Sequence, residues 1–315
     1  MSESAPTPSA PLVVDFDDPR ACDVLADAPF GAIVIGGTSS APLDSRIADL
    51  AEQTTFTIAP GGTGRAWVSD DLPSVLAEVA ATFDRAPVAA ATLTRLLLVS
   101  SDLPVGVALE LESAVYSMLL ASVEFRRWRS STPQAIVPAD AGAVRLERRG
   151  NDLEITLDRP RRRNALVHQM RDQLVTVAID PSIERVHLPG AGPSFYRGDA
   201  LDEFGTATDP AEAHLLRLTQ NPGAFIYALR HKVRPTLHGA CIAAGVEIPS
   251  FAKYIVARPD AWFRLPEVGM GLIPGAGGTV SLPRRIDRRR TAYVATARAV
   301  AARTALDWGL VDAVD

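Results

Sequence analysis

The sequence predicts an α/β protein in two parts, and three observations carry that expectation. Short runs of aliphatic and β-branched residues alternate with stretches whose apolar residues recur at helical spacing. The 315 residues correspond to about two domains, and a proline-bearing stretch at residues 131–142 reads as a linker that divides them unequally. One segment, residues 238–278, carries a small-residue turn at each end and reads as the centre of the larger part.

Hydrophobic residues make up 47% and charged residues 22%, the balance of a soluble globular protein with a real core. The net charge of −5 argues against a nucleic-acid surface. Arginine is strongly preferred over lysine, which occurs only at Lys232 and Lys253, and this bias reads as genome composition. The two cysteines, Cys22 and Cys241, give neither a disulfide framework nor metal-ligand spacing, and the five histidines give none either, so no metal is expected. The opening residues, MSESAPTPSAP, lack the positive region of a secretory signal. No uncharged apolar run reaches the roughly eighteen residues of a membrane span. A reducing, cytoplasmic setting is the expectation.

In chain order, residues 1–11 are expected to be disordered. Strand-like runs follow at residues 12–14, 32–35 and 55–58, with a helix over 43–53 on Leu43, Ile47 and Leu50, and Gly36-Gly37 and Gly61-Gly62 as punctuation. No catalytic motif falls here. Residues 72–130 read as helices: Pro73 suits a first turn, Leu76, Val79, Ala80 and Phe83 form one stripe, and Leu93, Leu96 and Leu97 continue it. Val107, Leu111, Val115, Met118 and Leu119 form another, after a break at Asp102 and Pro104. Beyond the linker, residues 144–147 and 153–157 alternate as paired strands about Gly150-Asn151. Helices are expected over about 167–178 and 209–230, then a strand at Thr236-Leu237 entering the central segment.

That segment holds Ala243-Ala244-Gly245 at one end and Gly275-Ala276-Gly277-Gly278 at the other, with Glu247 and Glu267 between them in apolar surroundings. A carboxylate among Val, Ile, Pro and Leu is costly to bury as an ion, so it shifts its pKa or finds a partner. Two such groups beside glycine-rich backbone suit proton transfer. The plain alternative is that each glutamate caps nearby backbone. Cys241 reads as a small buried residue, since no base is placed for it.

The text HGACIAAGVEI resembles N-G-x-A-x-G-G-G-x-E-L, and FRLPEVGMGLIPGAGGT resembles F-x-x-P-E-x-x-x-G-x-x-P-G-x-G-G-T. These are signatures of the enoyl-CoA hydratase/isomerase (crotonase) family. LDRPRRRNAL, IERVHLPGAGPSFYRGDALDEF and ATARAVAARTALDWGLVDAV resemble further family segments, so the likeness runs over residues 143–315. It implies the crotonase-like spiral of β-β-α turns, preceded here by a smaller α/β-plus-helical region. It also implies a coenzyme A thioester as substrate with no bound cofactor, and a homotrimer or dimer of trimers. Residues 72–130 resemble the family's C-terminal tail, whose helices pack at the oligomer interface or cover the acyl pocket. Here the tail-like text precedes the core, and the chain stops at Gly309-Leu310-Val311-Asp312, where relatives usually continue into it. Residues 12–130 are then either a permuted tail or a degenerate second copy that kept its tail, and the strand-helix-strand text before residue 72 favours the copy.

The resemblance also implies roles. The backbone N–H groups of Asp199 and Ala244 would form an oxyanion hole, the latter free at a helix start. Glu247 would act as base on a water, and Glu267 would give a proton to the α-carbon. Gly198, Gly245 and Gly275 would let backbone approach the substrate. Arg161, Arg163 and Ala165 would lie beside the nucleotide of coenzyme A, with a solvated charge run as the equal alternative. The sequence departs from the pattern at Ala243 and Ala244 for glycines, Asp199 ahead of Ala200, Tyr196 and Arg197 for small residues, Pro249, Lys253 and His238. The expected function is that of a lyase of fatty acid metabolism, hydrating a 2-enoyl-CoA. The alternatives are isomerisation, hydrolysis or decarboxylation through the same enolate, or a non-catalytic acyl-CoA-binding protein.

Overall fold

The computed structural model describes residues 10–29, 32–39, 45–62, 64–132, 144–162, 164, 180–197 and 209–315. The helix expected over 167–178, the disorder expected before residue 10 and most of the linker lie outside these residues, as do Arg163, Ala165, Gly198 and Asp199.

The first part opens with β1 (Leu12–Asp15), α1 (Ala21–Ala26), β2 (Val34–Gly37), α2 (Ser45–Glu52), β3 (Phe56–Ile58) and β4 (Trp67–Val68). The four strands pair in parallel in chain order, β1-β2-β3-β4. β2 lies further along than the expected run at 32–35, and Gly36-Gly37 stand inside the strand instead of interrupting it. Close approach explains this: a Cβ at Gly36 would overlap the Phe16 ring, and one at Gly37 would stand 2.7 Å from Leu72.

Four helices follow: α3 (Leu72–Arg85), α4 (Pro87–Ser100), α5 (Val105–Leu120) and α6 (Val123–Ser131). Asp71 caps α3 by accepting from Ser74 N at 3.0 Å, and Ser122 caps α6 by accepting from Phe125 N at 3.1 Å. In α5 the expected stripe is offset from the buried one. Val107 and Met118 are exposed, whereas Ala108, Leu109, Glu112, Ser113, Tyr116 and Leu119 are buried. The apolar positions alone misplace the stripe because its true centre holds polar side chains with distant partners.

From residue 144 the chain winds as a spiral. β5 (Val144–Arg149) is antiparallel to β6 (Asp152–Leu157), which continues in parallel through β7 (Arg185–Pro189), β9 (Val233–Leu237), β11 (Val256–Ala257) and β14 (Ala313–Val314). A second sheet holds β8 (Tyr196–Arg197), β10 (Ala240–Ile242) and β12 (Trp262–Arg264) in parallel, with β13 (Val300–Ala301) antiparallel to β12. From β7 to β12 successive strands thus alternate between the two sheets, one turn of the spiral giving a strand to each. The sequential parallel order β6-β7-β9-β11 is the order that β1-β2-β3-β4 repeats at smaller scale.

Among the described residues the helices of this part are α7 (Pro210–Gln220), α8 (Pro222–Ala228), α9 (Ala244–Glu247), α10 (Gly278–Ile286), α11 (Arg288–Thr296) and α12 (Ala302–Trp308). The single helix expected over 209–230 is split at Asn221, whose side chain accepts from Gly223 N at 2.8 Å while Pro222 opens the new first turn.

One hydrophobic cluster joins the two parts, with Phe56, Val75, Leu93 and Leu109 beside Ile155, Phe263 and Val280. Polar straps reinforce it. Arg288 donates to Thr54 O at 2.7 Å, Arg289 Nε to Ala51 O at 3.1 Å and Arg290 Nε to Trp67 O at 3.2 Å. Arg298 meets Asp70 at 3.0 Å and Glu78 at 2.8 Å. The arginine bias therefore has a structural use at α11, because a guanidinium fork serves several carbonyls that an ammonium serves less well. Arg289 is 3% exposed. Replacing it by Met is expected to lower the unfolding free energy by about 2 kcal/mol, read from urea midpoints.

Candidate active site

Three neighbouring parallel strands set up the site. Cys241 of β10 lies opposite Tyr196 of β8 and Phe263 of β12, so the carboxyl ends of all three strands reach one edge. That edge is where open α/β sheets hold ligands, since their loops and helix starts converge there. β10 leads into Ala243-Ala244-Gly245, and β12 leads into Pro266-Glu267. β8 ends at Arg197, and the Gly198-Asp199 step that follows lies outside the described residues.

Ala243 makes the sharp turn after β10, with φ 55° and ψ −128°, a conformation essentially reserved for glycine. Its N–H donates to Arg264 O at 3.0 Å, and its carbonyl accepts from Val246 N and Glu247 N. Ala244 is thereby the first residue of α9, where an N–H has no intrahelical acceptor. The helix start expected at Ala244 is present. Ala243→Gly is expected to raise stability by about 1 kcal/mol by removing the backbone strain, read from thermal melts. A Cβ at Gly245 would stand 2.5 Å from Tyr196 O and 2.7 Å from its ring, so the buried Tyr196 lies against the turn. Pro249 does not break α9, because the helix ends at Glu247 and Pro249 opens a separate 3-10 turn, Pro249–Phe251.

Glu247 and Glu267 are 2% and 3% exposed. Glu247 Oε2 accepts from Ala276 N at 2.8 Å and Gly278 N at 2.9 Å, so its carboxylate rests on the start of α10. Gly278 leaves the room, for a Cβ there would stand 2.7 Å from Glu247 Cγ. Glu267 opens the 3-10 turn Glu267–Met270, which Gly271 stops at φ 79°. Gly275 lies under the Tyr116 ring, where a Cβ would collide.

Sequence reasoning missed Glu112. This side chain of α5 is 1% exposed and reaches the same turn as Glu247. Its Oε1 accepts from Gly277 N at 2.7 Å, and its Oε2 accepts from Thr279 N at 2.9 Å and Thr279 Oγ1 at 2.6 Å. Burial pushes its carboxyl up to about 7, against the pull of the Thr279 and Gly277 hydrogen bonds and the Arg217 charge. Arg217 of α7 lies 4.7 Å over the Tyr116 ring and donates to Ser117. A glutamate four residues after Ala108 and four before Tyr116, on the face they share, was the available signal.

Asn164 was likewise quoted only as part of a motif. With φ 57°, it donates through Nδ2 to Ala191 O at 2.8 Å, Ser194 O at 3.0 Å and Phe195 O at 3.0 Å, bracing the loop that leads into β8. Arg161 sits exposed on the 3-10 turn Pro160–Arg162. His238 Nε2 lies 3.0 Å from Gly192 O, so it tethers a loop. Cys241 is fully buried, and burial pushes its thiol up, away from the thiolate a nucleophile needs. Among the described residues no group of His, Cys, Asp and Glu is placed to hold a metal ion, and no single helix is long and apolar enough to cross a membrane.

The two-sheet spiral, with buried glutamates in the segments that follow β10 and β12, defines a protein of the crotonase type. The family model for enoyl-CoA hydratase/isomerase matches residues 147–315, and the chain belongs to that family. YngF of Bacillus subtilis, whose name places it among the enoyl-CoA hydratase/isomerases, is 33% identical over 166 residues, covering 51% of this chain and 64% of that protein. Carnitinyl-CoA dehydratase of Escherichia coli K12 is 30% identical over 182 residues, covering 55% of this chain and 67% of that protein. The match thus spans about two thirds of the length of these curated relatives. The crystal structure of enoyl-CoA hydratase from Thermoplasma volcanium GSS1 is similar at a TM-score of 0.51 and 31% identity, over 55% of this chain and 71% of that one. The enoyl-CoA hydratase from Bacillus anthracis gives a TM-score of 0.51 at 25% identity, over 55% and 70%.

Proposed function

We propose that the protein adds water across the double bond of a 2-enoyl-CoA. The observation that carries this reading is the two buried glutamates, Glu247 at the end of α9 and Glu267 in the turn beyond β12, with Ala244 at the first position of α9. Two amides hold the Glu247 carboxylate in place at the start of α10. Glu247 takes a proton from water as the oxygen adds to the β-carbon. The electron pair of the double bond moves toward the thioester carbonyl, whose oxygen gains charge. The N–H of Ala244, with that of Asp199, donates to this oxygen in the transition state. Glu267 then gives a proton to the α-carbon, and the carbonyl reforms. Dehydration of a 3-hydroxyacyl-CoA is the same path reversed. Arg161 and Arg163 are assigned to the nucleotide phosphates, and the assembly to a homotrimer or dimer of trimers.

The test is to mix the purified protein with short and long 2-enoyl-CoAs and follow loss of the conjugated thioester absorbance, with calorimetry of CoA-ester binding alongside. Turnover supports hydration and ranks chain lengths. Binding without turnover overturns hydration, and absence of both overturns the acyl-CoA reading.

A further inference from the structure

We propose that Glu112, on a helix outside the family-matching segment, is a positioning residue for Glu247: it holds alternate amides of the turn at residues 276–279 and so fixes the support on which the Glu247 carboxylate rests. This rests on the hydratase reading above for its catalytic consequence, though not for its structural one.

The hydrogen bonds interleave. The amides of Ala276 and Gly278 go to Glu247, and those of Gly277 and Thr279 go to Glu112. Four consecutive N–H groups are thus divided between two carboxylates that approach from different helices, α9 and α5. The turn has little to hold it otherwise. It is rich in glycine, Gly277 sits at φ 104°, and first-turn amides have no intrahelical acceptors. Phe251 and Leu109 pack closely over Gly277. Without Glu112, two buried amides and the Thr279 hydroxyl lose their acceptor, and the turn relaxes to satisfy them. Ala276 and Gly278 lie in the same stretch, so their aim at Glu247 changes with it.

The charges around Glu112 come from several elements. Arg217 of α7 is the cation that faces it, Glu247 of α9 shares its helix start, and Tyr116 lies one turn along α5. His214 reaches the same seam through Ser113, at 2.9 Å. Two carboxylates at one helix start repel when both are ionised. The protonation state of Glu112 is therefore felt at Glu247, and its titration near neutrality places that coupling in the working range.

The experiment uses the full chain with Glu112→Ala, Glu112→Gln and Thr279→Val, the last removing only a hydroxyl contact in case Glu112→Ala fails to fold. Amide hydrogen exchange across residues 270–282 is read first, because it needs no turnover. In Glu112→Ala, exchange is expected to rise about tenfold or more at Gly277 and Thr279, and also at Ala276 and Gly278. Thr279→Val gives a smaller rise of the same pattern. Steady-state kinetics should show kcat lowered about 10–100-fold with KM nearly unchanged, the signature of a displaced catalytic group. Glu112→Gln, which can still accept one amide, is expected to recover part of kcat and to lose the limb of the kcat–pH profile near 7. Unchanged exchange at Ala276 and Gly278 overturns the proposal, as does a normal kcat with raised exchange. If the unaltered protein turns over no enoyl-CoA, the hydratase reading fails, and the exchange at Ala276 and Gly278 still decides the positioning role.

Discussion

Glu247→Gln and Glu267→Gln are each expected to lower kcat on a 2-enoyl-CoA by about 10²–10⁴-fold, with CoA-ester affinity changed by no more than about twofold. The amide is close in size to the carboxylate, so packing is preserved. At residue 247 the glutamine carbonyl can still accept from Ala276 and Gly278, and only the ability to take a proton is lost. At residue 267 the same change removes the proton given to the α-carbon. Steady-state kinetics with parallel calorimetry checks both variants. Full activity in either one removes the two-carboxylate mechanism and leaves a reaction that needs a single group, such as isomerisation.

The second large effect is on stability against pH. Glu112 has its carboxyl raised from 4.5 to about 7 by burial, so the folded protein binds its proton more tightly than the unfolded chain does. The stabilisation is complete below the unfolded value near 4.5 and is lost as pH rises through about 7. The unfolding free energy is therefore expected to fall by about 3 kcal/mol across that window, and Glu112→Gln to flatten the fall. Exposed Asp71 and half-buried Asp152 and Asp180 are lowered, by hydrogen bonds from Ser74, Arg185 and Ser182 respectively, and act in the opposite sense in more acidic solution. Urea midpoints at pH 5 and pH 8 check the claim. A midpoint that rises between the two values in the unaltered protein refutes it.

Much of the core was legible because its constraints are local. A turn that must bend sharply after a strand asks for small residues, and a helix start beside it leaves free amides, so residues 243–245 and 275–278 announce themselves. Glu247 and Glu267 stand out as carboxylates in apolar text. Pro249 looked like a defect until the helix was seen to end before it. The split of α7 from α8 was also written in the text, in Asn221-Pro222, but a continuous apolar pattern obscured it. What could not be read was whatever depends on distant partners. Glu112 and Ser113 look like solvent-facing positions on α5 until the amides of α10 and His214 are brought against them. The arginines of α11 look like composition until the carbonyls of Ala51, Thr54 and Trp67 are placed opposite them.

Glu112 and its first partner amide are 165 residues apart, with the helix synthesised before the turn it holds. At about 5–20 residues per second, α5 waits on the order of 10–30 s after leaving the ribosome before Gly277 exists to meet it. In that interval its buried face, with a carboxyl at the centre, lacks the partners that the later spiral supplies. Helices α3 to α6 are then expected to stay loosely associated, and to lock when the later spiral arrives. Closing so long a loop makes the contact order high and the final step slow and shared by both parts. The nascent chain is thus expected to be most exposed to proteases and chaperones over α3 to α6.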